Sequence, residues 1–374
     1  MRRNLFFGAA LLTNAVLSAV CLRAEPAKPK AEFFAAIDAM SSAFCPPPGK
    51  ADTRFDARRK LEELQKSADK DTAEICEFGL DILIAGEEAE KEAENYAASS
   101  QTFNMELTQD LDIASALEFN QQIFGEGGGT RNNTQKLIEK HKPAFKDMLV
   151  AQTKSIEVDI NLDNKVAALC AAVRKKTASK PKELKDISRI CRATFVLNGA
   201  DKSVRVQLSN PSGKTYKNCI VLLDVDCACD VVDSKEIETE FGSGFVDRFV
   251  GERMAGDLAD ELGKRDKART KLFQERKSTV GFKASWKPKE LFELNLMEAP
   301  AFIKCATNLR LTMVADRGTG RAAVTTMMRL DKQKTALKGQ WENLRKQQRA
   351  AIMQKAMTEL EKQLGDQLKE LQGR

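Results

Sequence analysis

From Asp52 to about Arg192 apolar residues recur every three or four positions. Phe55, Leu61 and Leu64 mark one stripe, and Ile75, Phe78, Leu80, Ile82 and Leu83 a broader one. Phe103, Leu107, Leu111, Ile113, Leu117 and Phe119 carry the pattern to Phe124. A period near 3.6 with one apolar face predicts amphipathic helices. Gly125-Glu126-Gly127-Gly128-Gly129 interrupts the series; Leu137, Ile138, Phe145, Met148 and Leu149, then Val166, Leu169, Cys170 and Val173, resume it. Antiparallel helical hairpins are the expected packing. Ahead of them, Phe33, Phe34, Ile37 and Met40 predict a short helix over Ala31–Phe44, stopped by Cys45-Pro46-Pro47-Pro48-Gly49.

At Thr194 the period becomes two. Val204, Val206 and Leu208 alternate with Arg205, Gln207 and Ser209, which predicts a strand with one buried face. Asn210-Pro211-Ser212-Gly213 is turn chemistry, and Cys219–Val225 is a nearly continuous apolar run suited to the middle of a sheet. The stretch reads as hairpin-like. Seven strands are expected: Ala193–Asn198, Ser203–Ser209, Asn218–Asp226, Thr279–Trp286, Leu291–Met297, Phe302–Ala315 and Arg321–Leu330. In the sixth, Ile303, Cys305, Thr307, Leu309, Leu311 and Met313 fall on one face, and Asp316-Arg317-Gly318-Thr319-Gly320 forms a hairpin turn into the seventh. Ser234–Lys277 breaks the β series with helical spacing of Phe245, Val246, Phe249, Val250, Met254, Leu258 and Leu262. Asp331 caps a last helix, in which Leu337, Trp341, Leu344, Met353, Met357, Leu360, Leu364, Leu368 and Leu371 keep a coiled-coil-like spacing weakened at Gln348.

The predicted fold is α+β and multidomain. A helical domain (31–192) precedes an immunoglobulin-like antiparallel β-sandwich (193–330) with a helical insertion (234–277), and a long C-terminal helix (331–374) follows.

Residues 1–24 alter where this body is expected to reside. Arg2 and Arg3 precede the apolar run Leu5–Leu22, and Ala24 precedes Glu25-Pro26, as in a secretory signal peptide. The alternative is a retained membrane anchor, although Asn14 interrupts the run. Arg2-Arg3-Asn4-Leu5-Phe6 also resembles a twin-arginine signal, and Cys21 is a lipidation candidate with a bulky Val20 before it. Glu25–Lys30 is a Pro/Lys tether. A periplasmic or secreted location is expected, with membrane contact only through the leader or anchor.

Export makes the cysteines disulfide candidates: Cys45, Cys76, Cys170, Cys191, Cys219, Cys227, Cys229 and Cys305. Proximity in sequence suggests Cys45–Cys76 and Cys170–Cys191, and strand placement suggests Cys219–Cys305; buried free thiols are the alternative. Loss of the leader removes three arginines and no acid, so a net charge of +6 becomes +3, which gives no basis for nucleic-acid binding. Charge is nevertheless uneven. The acidic stretch Glu87–Glu94 is a candidate to lie against the basic C-terminal helix, with Lys355 and Lys362 as contacts.

Little points to catalysis or a cofactor. Ser212-Gly213-Lys214-Thr215 ends like a P-loop, but Leu208 occupies the position of the first glycine and a strand follows where a helix is needed. Cys227 and Cys229 read first as two disulfides to different partners, since export favours oxidation; with Asp224 and Asp226 they are otherwise candidate soft-metal ligands, without a histidine near, or a redox pair. The one histidine, His141, sits between Lys140 and Lys142, on an expected solvated face. Two Trp and two Tyr are too few for a carbohydrate platform. No carboxylate pair stands out, although such pairs arise from distant positions.

Ser203–Val225 is similar to the core of small bacterial extracytoplasmic sandwich modules of the FxLYD type, which run strand, Asn-x-Ser/Gly turn, apolar strand and closing Asp. Asn210, Ser212 and Gly213 match the turn and Asp224 the closing acid; Leu223 stands where the family has an aromatic. The resemblance covers 23 residues and implies an exported interaction module without activity. The expected function is binding or scaffolding in the cell envelope, through a protein partner or self-association of the C-terminal helix. The rival is an extracytoplasmic hydrolase with a carboxylate site.

Overall fold

A computed structural model describes residues 31–44, 53–67, 69–124, 130–177, 191–232, 234, 245–317 and 320–372. The fold is mixed α+β, with a helical N-terminal region and two antiparallel sheets. The helices are α1 (Ala31–Phe44), α2 (Arg54–Ser67), α3 (Lys70–Phe124), α4 (Thr130–Thr177), α5 (Phe245–Gln274), α6 (Ala299–Cys305) and α7 (Asp331–Gln372). The strands are β1 (Arg192–Asn198), β2 (Ser203–Ser209), β3 (Tyr216–Cys227), β4 (Lys277–Trp286), β5 (Leu291–Glu298), β6 (Ala306–Arg317) and β7 (Gly320–Arg329). No described helix is long and apolar enough to cross a membrane.

The sheets run β1-β2-β5 and β4-β3-β6-β7. The continuous apolar run of β3 has a direct cause. Cys219, Val221, Leu223 and Val225 face the other sheet and share a core with Val204, Val206, Leu208, Phe292 and Leu294. Ile220 and Leu222, on the opposite face, join Val280 and Val314 beneath α1 and α4. A strand buried on both faces has no solvated positions to alternate with.

This arrangement corrects the hairpin reading of Ser203–Val225. β2 pairs with β1 and β5, while β3 pairs with β4 and β6, so Asn210–Gly213 carries the chain from one sheet to the other. Asn210 builds the crossing. Its Oδ1 accepts from Ser212 N (3.1 Å) and Ser212 Oγ (2.7 Å), and its Nδ2 donates to Lys214 O (2.9 Å) and Trp286 O (3.3 Å). A side chain that makes three bonds to backbone groups and one to a hydroxyl holds the turn without strand pairing across it.

A second correction falls on Phe302–Cys305, read as the start of a strand. These residues close α6, which carries a Pro at its first turn and buries Ala299, Pro300, Ala301, Phe302 and Cys305. Proline there presets helical φ and gives up an N–H that would have no partner. β6 starts at Ala306 instead.

The helices do not stand apart from the sheets. Ser41 of α1 accepts a hydrogen bond at Oγ from Phe282 N (3.0 Å), and Phe34 stacks near Phe282 at 6.3 Å. In α5, inserted between β3 and β4, Leu258 and Leu262 pack with Phe103, Phe145, Met148 and Leu149 of α3 and α4. Leu337, Trp341 and Leu344 of α7 enter the inter-sheet core, and α7 packs on α6 and β1.

Candidate functional site at the helix–sheet seam

The stripe Val166, Leu169, Cys170 and Val173 lays α4 on the sheet. One residue beyond it, Arg174 reaches Asp224 in the middle of β3, where only 3% of the aspartate is exposed. Arg174 Nη2 donates to Asp224 Oδ2, Ser278 Oγ donates to Oδ1 at 2.8 Å, and Arg174 Nε donates to Thr312 Oγ1 at 3.2 Å. The hydroxyls of Thr312 and Thr325 share a further bond at 3.1 Å. Removing both charges from water offsets much of their attraction, so the pair by itself is no large source of stability.

Next to this lies a cluster of carboxyls around one ammonium. Lys277, at the start of β4, donates through Nζ to Asp163 of α4. Asp159 precedes Asp163 by one helical turn and is half-buried. Burial pushes the Asp159 carboxyl up to about 6; the charge of Asp163 adds to this and Lys277 opposes it. Burial also raises Asp163, against the pull of Lys277. Glu298, which ends β5, is exposed to solvent; its carboxyl is raised by the desolvation of its inner side, with Lys277 and Lys202 opposing and Asp159 adding. The three carboxyls share this one lysine, and desolvation opposes the ionisation of each. Asp159, raised to about 6, is the carboxyl of this cluster placed to exchange a proton near neutral pH. Among the described residues, no three His, Cys, Asp or Glu side chains are arranged to hold a metal ion.

At the end of β3 lie three sulfurs. Cys229 is bonded to Cys305 at the end of α6. Cys227 is a free, half-buried thiol, raised to about 11 chiefly by burial. Its strand partner is Ala306, the neighbour of Cys305.

The structure disperses the candidate metal ligands. Cys229 has spent its sulfur on Cys305. Asp224 is engaged by Arg174 and Ser278, and Asp226 accepts from Arg276 Nε at 2.9 Å. The expected disulfide pairs change as well. Cys305 bonds Cys229 and not Cys219. Cys170 and Cys191 are both free; they belong to different cores, Cys170 between helices and sheet and Cys191 between the sheets. Cys76 is free and buried, and its expected partner Cys45 lies outside the described residues.

His141 is not on a solvated face. It is 3% exposed, with Nε2 2.6 Å from Asp110 Oδ2, which Lys140 Nζ also reaches at 2.7 Å. Three acids of α3 pair with α2 and α4, while the side chains of Lys355 and Lys362 lie outside the described residues. Glu87 pairs with Arg58 (3.0 Å), Glu90 with Arg54, and Glu92 with Lys154 of α4 (2.8 Å). Arg54, Arg58, Glu87 and Glu90 line an open groove of about 280 Å³ between α2 and α3. Ser212–Lys214 belongs to the Asn210 turn, and β3 follows at Tyr216.

Sequence reasoning missed Lys277, Asp159, Asp163 and Glu298, which three distant segments bring together. A local signal existed for two of them: Asp159 and Asp163 stand four apart in a stretch whose neighbours Val158, Ile160 and Val166 are buried. Acids on the edge of a buried face require a partner from elsewhere.

No protein-family model, curated protein or solved structure matches the chain.

Proposed function

We propose that this is an exported cell-envelope protein that binds or scaffolds other proteins, with an immunoglobulin-like sandwich as platform and the long C-terminal helix as the presented arm. One observation carries the reading. α7 is rooted in the inter-sheet core by Leu337, Trp341 and Leu344, yet it runs on to Gln372. The sequence beyond the root keeps apolar residues at Met353, Met357, Leu360, Leu364, Leu368 and Leu371. Most helical stability in proteins comes from packing an amphipathic face, and a second helix is the partner that fits such a stripe. The sheet orders, with chain crossings between β2 and β3, β4 and β5, and β5 and β6, support the immunoglobulin-like reading and the kinship with FxLYD-type modules. The leader-like residues 1–24 and the Cys229–Cys305 bridge support a periplasmic or secreted location.

Sedimentation of the mature protein beside a chain ending at Gln348, which keeps Leu337, Trp341 and Leu344 in the core, tests the arm. A larger assembly for the complete chain identifies the occupant as a second copy. Equal monomeric masses leave a different protein, and photo-crosslinking from position 357 in intact cells must then yield an adduct. Monomer with no adduct overturns the proposal.

The carboxyl cluster favours a second reading, an extracytoplasmic hydrolase using Asp159 and Glu298. It requires the whole protein to hydrolyse some p-nitrophenyl ester or glycoside, and Asp159→Asn to abolish that turnover. A protein inert on all of them is no hydrolase of these bonds.

A further inference from the structure

Cys229 and Cys305 are joined, and their Cα atoms are 4.8 Å apart. The backbone around them is tightly tied: Ala228 N donates to Cys305 O at 2.8 Å, and Thr307 Oγ1 donates to Asp226 O at 3.0 Å. In this ladder Cys227 stands opposite Ala306, after a register shift between Asp226 and Cys227. A third sulfur is thus carried on the residue paired with the neighbour of Cys305 and two residues from Cys229. Cys227 is also the only half-buried thiol among the described free cysteines; Cys76, Cys170, Cys191 and Cys219 are buried.

We propose that Cys227, Cys229 and Cys305 form a thiol–disulfide exchange site, in which Cys227 attacks the existing bridge and Cys305 changes partner. The Cys227 thiolate forms a bond to Cys305 Sγ, the Cys229–Cys305 bond breaks, and Cys229 leaves as the thiolate and takes up the proton that Cys227 lost. One disulfide and one thiol stand on each side, so no outside oxidant is consumed. The substrate class in trans is a small or protein thiol or disulfide, which meets the exposed side of Cys227 first.

The setting fixes the rate. Burial holds Cys227 at about 11, with Lys277 opposing, so the thiolate is scarce at neutral pH and exchange should quicken about tenfold per pH unit from 7 to 10. The exchange also has a structural consequence. The Cys229–Cys305 bridge spans 76 residues that include α5, β4 and β5. Moving it to Cys227 frees Cys229, whose carbonyl accepts from Gln274 Nε2 of α5 at 2.7 Å.

The test is disulfide mapping of the whole protein after incubation at pH 7 and pH 9.5, acid quench and alkylation. Peptides linking Cys227 to Cys305 should accumulate at the higher pH, and Cys227→Ser should abolish them. The Cys229→Ser variant, incubated with oxidised glutathione, should form Cys227–Cys305 with release of two glutathione molecules. Should Cys229→Ser fail to fold, the wild-type map decides alone. Only Cys229–Cys305 at both pH values, with Cys227 recovered as a thiol, overturns the proposal.

Discussion

Replacing Asp159 with asparagine keeps the side chain's shape and removes one ionisation from the seam. In the folded protein the carboxyl titrates at about 6 against an ordinary 3.8. A folded-state pKa above the unfolded one means that the native state holds its proton longer. Below about pH 4 both states are protonated and Asp159 costs nothing. Between about pH 4 and 6 the unfolded chain releases the proton while the native one keeps it, so stability falls as pH rises. Above about pH 6 the full penalty is present. The gap corresponds to at most about 3 kcal/mol at roughly 1.4 kcal/mol per pH unit. Asp159→Asn should therefore be more stable than wild type at pH 7.5 by up to about 3 kcal/mol, and the difference should vanish near pH 4. Urea unfolding followed by tryptophan fluorescence suits the question, because Trp286 and Trp341 both lie in the inter-sheet core. A variant no more stable than wild type at pH 7.5, or equally advantaged at pH 4, would refute the reasoning.

Three further outcomes follow from packing. A Cβ at Gly281 would lie 2.3 Å from Leu294 Cδ2 and 2.8 Å from Phe292 Cζ, so Gly281→Ala should lower stability by about 1–3 kcal/mol in the same urea assay. Arg174→Met strands the buried Asp224 carboxylate and should cost about 3–5 kcal/mol at pH 7.5. Adding Asp224→Leu to that variant should recover most of the loss, since no unpaired charge remains; a double variant as weak as the single one would show that the pair does more than neutralise itself. Trp341→Ala should cost about 3–5 kcal/mol and loosen the root of α7, which near-ultraviolet dichroism and amide exchange at Leu337 and Leu344 would register.

Local pattern was enough where one element's environment is uniform. α1 and β2 have the limits their periodicities predict, Ala31–Phe44 and Ser203–Ser209: β2 buries one face, and α1 is stopped by Cys45-Pro46-Pro47-Pro48-Gly49. Pattern misled where the partner decides. Nothing in Asn210-Pro211-Ser212-Gly213 distinguishes a hairpin turn from a crossing between sheets; the pairing of β2 with β5 and of β3 with β6 settles that over long range. At Ile303, Cys305 and Thr307 apolar and polar residues alternate as in a strand, but Pro300 and the neighbouring alanines favour a turn of helix before Ala306. His141 shows the limit of reading charge: flanking lysines suggest a wet face, yet the ring sits beside Asp110, thirty-one residues away in the chain. The seam cluster draws on α4, β4 and β5, so Lys277 and Glu298 join Asp159 and Asp163 only after the sheets are docked on the helices.

Export of the chain is best tested by the intact mass of the protein produced with its own leader, taken before and after reduction. The account predicts a product beginning at Glu25 in the exported fraction, gaining two hydrogens on reduction for the bridge between Cys229 and Cys305. A full-length product in the cytosol, with every cysteine open to alkylation in the denatured chain before any reductant is added, would contradict it.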